Sequence, residues 1–176
     1  MHTPESREKI RQARLSGDLS GSKNGMFGRK HTDVSKDKMS ETRSQMVLDG
    51  RYPTYGRRHK KGYYSSVKTN REAFYRSGWE LAMMKHLDAD VLVETWEFET
   101  VRIQYSYNDH KRWYVPDFIV NYVDGTRWMF EIKPKEFVDT EKNRLKENAA
   151  IRHCEEQGFA GYCTLTGDEL RAMKVI

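Results

Sequence analysis

Two alternating apolar runs near the middle of the chain predict a β-hairpin, with strands over 113–123 and 126–133. The large apolar side chains of both runs fall on even positions: Phe118, Val120, Tyr122, Trp128, Phe130 and Ile132. They share one face only if opposed residues have the same parity. A three-residue loop over 123–125, with Gly125 in the left-handed conformation, keeps this register. A two-residue loop at Asp124 and Gly125 would split the set.

Apolar periodicity predicts further elements in the second half of the chain. Ser77 and Glu80 have capping-box spacing at the start of one helix, and another helix runs from a Thr140 cap to a stop at Gly158. The elements are a helix over 77–88, strands over 91–98 and 101–107, the hairpin, a helix over 140–157, a strand over 162–165 and a short helix over 168–173. This order, α-β-β-β-β-α-β-α, predicts an α/β (α+β) fold in which helices flank a mixed central sheet.

A repeat precedes this region. His2–Arg14 and His31–Arg43 share the pattern His-Thr-x-x-Ser-basic-acidic-Lys-apolar and both end on Arg. Thr3 and Thr32 suit the N-cap position of a helix. We expect two short helices, separated by a Gly-rich segment over 21–30, neither of which can bury much apolar surface alone.

The two parts of the chain differ in charge. Residues 1–70 contain 16 basic and 7 acidic side chains, and residues 71–176 contain 15 basic and 19 acidic ones. A basic arm on an acidic body indicates a polyanionic partner, usually nucleic acid, although such a segment can also be a solvated linker. We therefore expect an extended basic N-terminal arm over 1–50, a basic linker over 51–70 and a globular domain over 71–176.

Several protein classes find no support in the sequence. No apolar run approaches the roughly 20 residues that a membrane span needs, and charged residues throughout the start of the chain argue against a secretory signal. Cys154 and Cys163 form no Cys-x-x-Cys pair, so zinc has no support, and a reduced chain is a simpler reading than a disulfide between them. We expect a soluble, intracellular protein.

The hairpin register also gathers polar residues. Asp117 lies directly opposite Glu131 in it, and Lys133 lies two residues further along the same face. Two close carboxylates raise each other's pKa unless a cation lies between them. Mg²⁺ often takes one or two carboxylates, with water and substrate phosphate completing its shell. Lys133 can then orient a water or stabilise developing charge, and Glu80 is a candidate for a further carboxylate.

Ordinary structural roles compete with these assignments. An Asp and a Lys near a strand end are often a surface pair, and Glu80 closes a capping box with Ser77. His110 and His153 lack the partner spacing of metal ligands. The basic positions Lys142, Arg144 and Lys146 fit the solvated face of a helix.

Two segments resemble a known enzyme family. Tyr114–Phe118 reads Tyr-Val-Pro-Asp-Phe and Phe130–Lys135 reads Phe-Glu-Ile-Lys-Pro-Lys, which resembles the PD-(D/E)xK signature of restriction-endonuclease-like nucleases. The segment Tyr75–Glu80 resembles the helix-borne glutamate of junction-resolving and transposon-end nucleases. The resemblance covers about residues 71–170, nearly the whole predicted domain.

This resemblance implies a restriction-endonuclease-like core and a set of roles. Asp117 and Glu131 would bind Mg²⁺, for which Mn²⁺ would substitute, and the carbonyl of Ile132 would be a further ligand. Glu80 would add a carboxylate to the same or a second ion, and Lys133 would be the catalytic lysine. Many relatives have another polar residue in the following helix, and the sequence leaves Lys142, Lys146 and Asn148 open for that position.

The N-terminal repeats resemble the nuclease-associated modular DNA-binding motif of phage homing endonucleases, with Gly25 where the family usually has Pro. In relatives this motif lies along DNA with a helix in the minor groove. The basic and polar positions that it and the linker offer to DNA are Lys23, Asn24, Arg29, Lys30, His31, Lys36, Lys38, Arg57, Arg58, Lys60 and Lys61.

Together these features predict a homing-type, site-specific endonuclease that acts on double-stranded DNA in a bacterial or phage-infected cell. One active site cuts one strand, so a double-strand break requires a homodimer or sequential nicking. A junction-resolving or transposon-end nuclease with the same chemistry is an alternative, and a catalytically inactive DNA-binding module is another.

Overall fold

The computed structural model describes residues 3–5, 8, 11–12, 27–51 and 60–176. The chain divides into two compact units, Met1–Lys36 and Asp37–Ile176. In the first unit, the described residues from Pro4 to Gln12 are helical. Thr32 caps helix α1 (Asp33–Leu48), since its Oγ1 accepts a hydrogen bond from the Ser35 N–H at 3.3 Å. This is the capping role that the sequence predicts for Thr32.

The rest of the described chain contains three small sheets and four more helices. The strands are β1 (Gly62–Ser65), β2 (Glu72–Tyr75), β3 (Val93–Phe98), β4 (Ile103–Tyr107), β5 (His110–Tyr114), β6 (Phe118–Tyr122), β7 (Arg127–Ile132) and β8 (Gly161–Leu165). The helices are α2 (Gly78–Ala89), α3 (Lys135–Val138), α4 (Glu141–Gln157) and α5 (Gly167–Ala172).

The central sheet has four strands in the order β3-β6-β7-β8. The pairs β3–β6 and β6–β7 are antiparallel, whereas β7 and β8 are parallel. Strands β1 and β2 form one separate antiparallel pair, and β4 and β5 form another. The predicted α/β fold, a mixed central sheet flanked by helices, is therefore confirmed.

The register of the β6–β7 hairpin is the one that the apolar pattern predicts. Phe118 pairs with Phe130 and Val120 with Trp128. The loop is closed by the Tyr122 N–H, which donates to the carbonyl of Thr126 at 2.9 Å. Gly125 has φ +83°, a left-handed conformation that favours glycine. The three-residue loop is thus correct, and every pair of opposed residues shares its parity.

The two faces of the central sheet have different cores. We call the face that carries the even-numbered residues of β6 and β7 the even face, and the opposite one the odd face. The even face packs against α2 and α5 in a cluster of buried residues that includes Met84, Leu87, Trp96, Phe118, Val120, Phe130 and Leu170. The odd face packs against α4 and the β4–β5 hairpin in a second cluster, which includes Ile103, Tyr105, Tyr114, Met129, Ala149 and Cys154. Both faces are therefore covered, and the sheet is an internal layer.

The structure differs from the sequence prediction in three local features. The single strand predicted over 113–123 is divided: Trp113 pairs with Gln104 in the β4–β5 hairpin, while Phe118 begins β6. Pro116 lies at the break, where its missing N–H cannot contribute to a sheet. The short helix α3 was not predicted.

The third difference is the β1–β2 hairpin, whose first strand falls in the segment assigned to the linker. Asp88 of α2 holds this hairpin in place, because it accepts hydrogen bonds from the hydroxyls of Tyr64 and Ser66 and from the Trp96 indole N–H at 2.7 to 2.9 Å. Ordered structure thus begins before residue 71.

Cys154 and Cys163 are both free thiols. They pack into different clusters, Cys154 on the odd face of the sheet and Cys163 against the even face. The sheet thus separates them, in keeping with a reduced chain. Within the described residues, no helix combines the length and the apolar character required to cross a membrane.

Candidate active site

The structure brings together three of the residues that the sequence singles out. Asp117 directly precedes β6, and its Oδ2 accepts a hydrogen bond from the Ile132 N–H at 2.7 Å. Glu131 lies near the end of β7, and Lys133 directly follows this strand. The Lys133 Nζ donates to Glu131 Oε1 at 2.7 Å, and both side chains are largely buried. The hairpin register therefore places two carboxylates and an ammonium at one end of the odd face.

The electrostatics of this end of the sheet disfavour a bare Asp117 carboxylate. Burial raises the pKa of Asp117 well above its ordinary value, and the nearby charges of Glu131 and Glu80 raise it further. The hydrogen bond from Ile132 acts in the opposite direction but does not offset these effects. The Asp117 carboxylate is thus a half-buried oxygen donor that would be stabilised by a positive charge.

Glu131 is held by a tyrosine that the sequence analysis did not identify. The Tyr114 hydroxyl donates to Glu131 Oε2 at 2.9 Å and lies 3.2 Å from the hydroxyl of Tyr162. Thr164, which pairs with Glu131 across β7 and β8, donates to Tyr162 at 3.2 Å. Burial, followed by the charge of Glu131, raises the pKa of Tyr114 well above its ordinary value, so this hydroxyl stays protonated and donates.

Lys146 is the residue of α4 that faces this network. Its Nζ lies 5.0 Å from the centroid of the Tyr114 ring, within the range of a cation–π contact. Burial lowers the pKa of Lys146, and the negative charge of Glu131 opposes that shift. Among the three positions left open by the sequence, this contact favours Lys146, which is half-buried, over Lys142 and Asn148, which are exposed.

Glu80 has the structural role that its spacing allows. The Glu80 N–H donates to Ser77 Oγ at 3.1 Å, as in a capping box. Its Oε2 accepts a hydrogen bond from the Arg76 N–H at 2.7 Å, one residue earlier than in the usual box. Glu80 is nevertheless close enough to the site for its charge to raise the pKa of Asp117. Its role as a metal ligand stays a prediction.

A further acidic residue, Glu99, was missed by the sequence analysis. It follows β3, its side chain is only 15% exposed, and its carboxylate forms an ion pair with Arg76. Burial raises the pKa of Glu99 to about 7, although Arg76 opposes the shift. The charges of Glu80 and Glu131 add to it. No periodicity in the sequence signals this residue, because its position depends on a non-local contact.

The oxygen donors of the site suit a hard divalent cation. Asp117 and Glu131 are the carboxylates that could hold it, and Mg²⁺ commonly uses so few protein ligands. Across residues 27–51, 60–176 and the few described before them, no three His, Cys, Asp or Glu side chains are arranged to hold an ion by themselves. A cation here would thus take the rest of its shell from carbonyl oxygens, water or substrate.

The candidate DNA-binding residues belong to the N-terminal arm and the linker of the sequence. Lys23, Asn24, Arg57 and Arg58 fall outside the described residues. Arg29, Lys30, His31, Lys38, Lys60 and Lys61 are exposed, and Lys36 is half-buried with its Nζ 2.9 Å from Asp33 Oδ1. DNA binding by these side chains stays a prediction. The His153 ring packs against the Phe159 ring at a tilt of 52°, and His110 lies 3.9 Å from Asp37, so both histidines have structural neighbours.

Comparison with known protein families agrees with this site. Residues 90–166 match the family model described as TnsA-like endonuclease N terminal, and this segment contains Asp117, Glu131 and Lys133. Residues 1–40 match the NUMOD3 motif, which covers the first repeat and most of the second. No curated protein matches the chain. Both family matches fit a nuclease, and the first supports a DNA endonuclease in general.

Proposed function

We propose that this protein is a Mg²⁺-dependent endonuclease that hydrolyses phosphodiester bonds in double-stranded DNA. The observation that carries the proposal is the half-buried Asp117 carboxylate beside the Glu131–Lys133 pair. These three residues lie within the segment that matches an endonuclease model. A structural ion pair does not account for this arrangement, because a second, partly desolvated carboxylate beside Glu131 costs free energy unless a cation compensates it.

Asp117 and Glu131, with the carbonyl of Ile132, would hold the cation, and Glu80 would add a carboxylate to the same or a second ion. A divalent cation bound there would polarise the scissile phosphate and lower the pKa of a water. Mn²⁺ would substitute for Mg²⁺, because it accepts the same oxygen ligands.

The protein's own residues would supply the remaining parts of the reaction. Hydrolysis adds water across a P–O bond, and negative charge increases on the phosphoryl oxygens as the water attacks. The Lys133 ammonium would orient this water or stabilise that charge. The Tyr114 hydroxyl holds one oxygen of Glu131 and so leaves the other directed towards Lys133. Lys146 adds a half-buried positive charge beside Tyr114.

For the substrate, we propose a specific site in duplex DNA, as in homing endonucleases. The basic arm and its NUMOD3 match support this proposal, because an extended arm provides phosphate contacts over a length of duplex. A transposon-end or junction-resolving nuclease is the second candidate, and the TnsA-like match of the catalytic segment favours it. An inactive DNA-binding module is disfavoured by the retained Asp117, Glu131 and Lys133.

The proposal is tested by incubating supercoiled plasmid with the full chain and Mg²⁺. We expect nicked or linear product with the wild type. For Glu131→Ala, which removes a cation ligand and the partner of Lys133, we expect a loss of at least about 100-fold, in the range for removal of a group that stabilises a transition state. Equal nicking by both proteins would refute the catalytic assignment.

The same assay separates the two candidate substrates. A linear duplex library and a four-way junction are supplied at equal concentration, with Ca²⁺ in place of Mg²⁺ as the control for binding without cleavage. Discrete cleavage of the duplex supports the homing-type proposal, whereas clear preference for the junction supports the second candidate. Binding of either DNA without cleavage in Mg²⁺ would support the inactive module.

A further inference from the structure

Arg76 and Glu99 form a charged pair at the edge of the site to which the proposed mechanism gives no role. Arg76 lies just before helix α2 and Glu99 just after strand β3. Their side chains are 26% and 15% exposed, so the pair is largely withdrawn from water. Arg76 also donates to the Phe74 carbonyl at 3.4 Å, a contact that orients its guanidinium.

The backbones of the same two residues bind the segments that carry the site's carboxylates. The Arg76 N–H donates to Glu80 Oε2 at 2.7 Å. The Glu99 N–H donates to the carbonyl of Asp117 at 2.9 Å. One partner therefore holds the side chain of Glu80, and the other holds the backbone of Asp117. The ion pair between them connects the start of α2 to the start of β6.

The conformation of Glu99 indicates that this connection is not incidental. Its φ is +54°, in the left-handed region that disfavours residues with a long side chain. A glycine or asparagine would occupy that backbone at lower cost. Glu99 also lies close enough to Glu80 and Glu131 to interact with their charges. An acidic side chain that is only 15% exposed, on a strained backbone beside other carboxylates, is costly for stability, and such costs are typical of functional sites.

We infer that the Arg76–Glu99 pair is a positioning device that fixes Glu80 relative to Asp117 for cation binding. Arg76 neutralises Glu99, so the pair links the two segments without adding net charge beside Glu80, Asp117 and Glu131. This inference rests on the proposed function and deepens it: Arg76 and Glu99 are positioning residues that act through Glu80 and Asp117.

The test uses three variants of the full chain and one matched control. Glu99→Gln and Arg76→Met each break the ion pair but keep the backbone N–H that binds Glu80 or Asp117. Glu99→Asn also breaks it, and asparagine tolerates the left-handed conformation better than glutamate, which protects the fold. Glu97→Gln is the control, because Glu97 lies on β3, two residues before Glu99, and forms its own ion pair with Arg127 at 3.8 Å.

Two readouts are measured beside thermal unfolding. Mn²⁺ binding to the DNA-free protein is followed by electron paramagnetic resonance, and plasmid nicking is resolved into kcat and KM. We expect each ion-pair variant to lose about 10-fold or more in Mn²⁺ affinity and in kcat, with KM for DNA unchanged, as is typical for residues that orient metal ligands. Glu97→Gln should match the wild type.

A double variant provides the decisive comparison. If Arg76 and Glu99 act as one pair, Arg76→Met with Glu99→Gln should lose no more than either single variant, since interacting residues are not additive. Wild-type Mn²⁺ affinity in Glu99→Asn, or losses that multiply in the double variant, would overturn the inference. Failure of the wild type to bind Mn²⁺ and to cut DNA would instead overturn the proposed function.

Discussion

The two faces of the β6–β7 hairpin arise from the same alternation of side chains along the strands, but burial has opposite effects on stability on the two faces. On the even face, Phe118 is fully buried among aromatic rings, with Phe98 at 5.0 Å and Trp96 at 6.0 Å between centroids. On the odd face, the buried carboxylate of Glu131 and the half-buried carboxylate of Asp117 lie beside Lys133. Burial on the first face provides stability, whereas burial on the second costs free energy that a bound cation would offset.

The difference is confined to one end of the odd face. Ile119 and Met129 lie on that face, opposite each other, and both are almost completely buried. The change from apolar to charged occurs within two residues, between Met129 and Glu131. The charged end of the face is therefore adjacent to closely packed apolar residues, which hold its backbone in place. This contrast teaches that the fold and the site use the same strands at adjacent positions, so substitutions on the two faces should have opposite effects on stability.

The largest expected effect is on the even face. Phe118→Ala should lower the free energy of unfolding by about 3–5 kcal/mol, because it leaves a cavity between Trp96 and Phe98. Urea denaturation followed by Trp fluorescence measures the change. Phe118→Leu is the control and should lose less, since it keeps most of the apolar volume. A loss below about 1 kcal/mol for Phe118→Ala would mean that this face is not the stabilising one.

The parity of the hairpin explains what could be predicted from the sequence. Opposed residues of equal parity require a three-residue loop, and that loop brings Asp117 opposite Glu131 without reference to any motif. Both the sheet register and the core of the site follow from period-two alternation, which is local information. The helix start at Ser77 and the cap at Thr32 are also local, because a capping side chain binds the backbone of its own first turn.

The residues that surround the core of the site depend on non-local contacts. Tyr114 and Glu131 are 17 positions apart, and Arg76 and Glu99 are 23 apart. No helical or strand period connects such pairs. The division of the predicted 113–123 strand was missed for the same reason. Trp113 could pair either with β4 or with the central sheet, and local sequence does not decide between these two strand partners. Pro116 was the one local signal of that break.

The second expected effect is on the odd face and has the opposite sign. Asp117→Asn should abolish cleavage yet stabilise the cation-free protein at pH 8. The Asn side chain can still accept the hydrogen bond from the Ile132 N–H. It does not ionise, so the free-energy cost of holding a carboxyl group at this position, either charged or with a bound proton, disappears. The pKa of Asp117 is raised well above its ordinary value, so the ionised carboxylate is disfavoured in the folded protein, and we expect Asp117→Asn to unfold at a higher urea concentration than the wild type.

The pH dependence of the free energy of unfolding is an independent test of the direction of the Asp117→Asn effect. The folded wild type retains protons on Asp117 and Glu99 that the unfolded chain has already lost, so its stability should fall as pH rises above about 4. The contribution of Glu99 ends near its pKa of about 7. Asp117→Asn should flatten this decline but keep the Glu99 part. Urea denaturation from pH 4 to pH 8 in EDTA measures it, and parallel curves for the two proteins would contradict the contrast between the faces.

The smallest expected effect concerns the hydroxyl that holds Glu131. Tyr114→Phe removes the bond to Glu131 Oε2 and keeps the ring that packs in the odd-face core and faces Lys146. We expect the Mg²⁺ concentration for half-maximal nicking to rise about two- to tenfold, the equivalent of one hydrogen bond. Tyr162→Phe is the control, because its hydroxyl contacts Tyr114 at 3.2 Å and is one step further from Glu131. An equal or larger shift for Tyr162→Phe would mean that the hydroxyl network, rather than the direct bond from Tyr114, sets the position of Glu131.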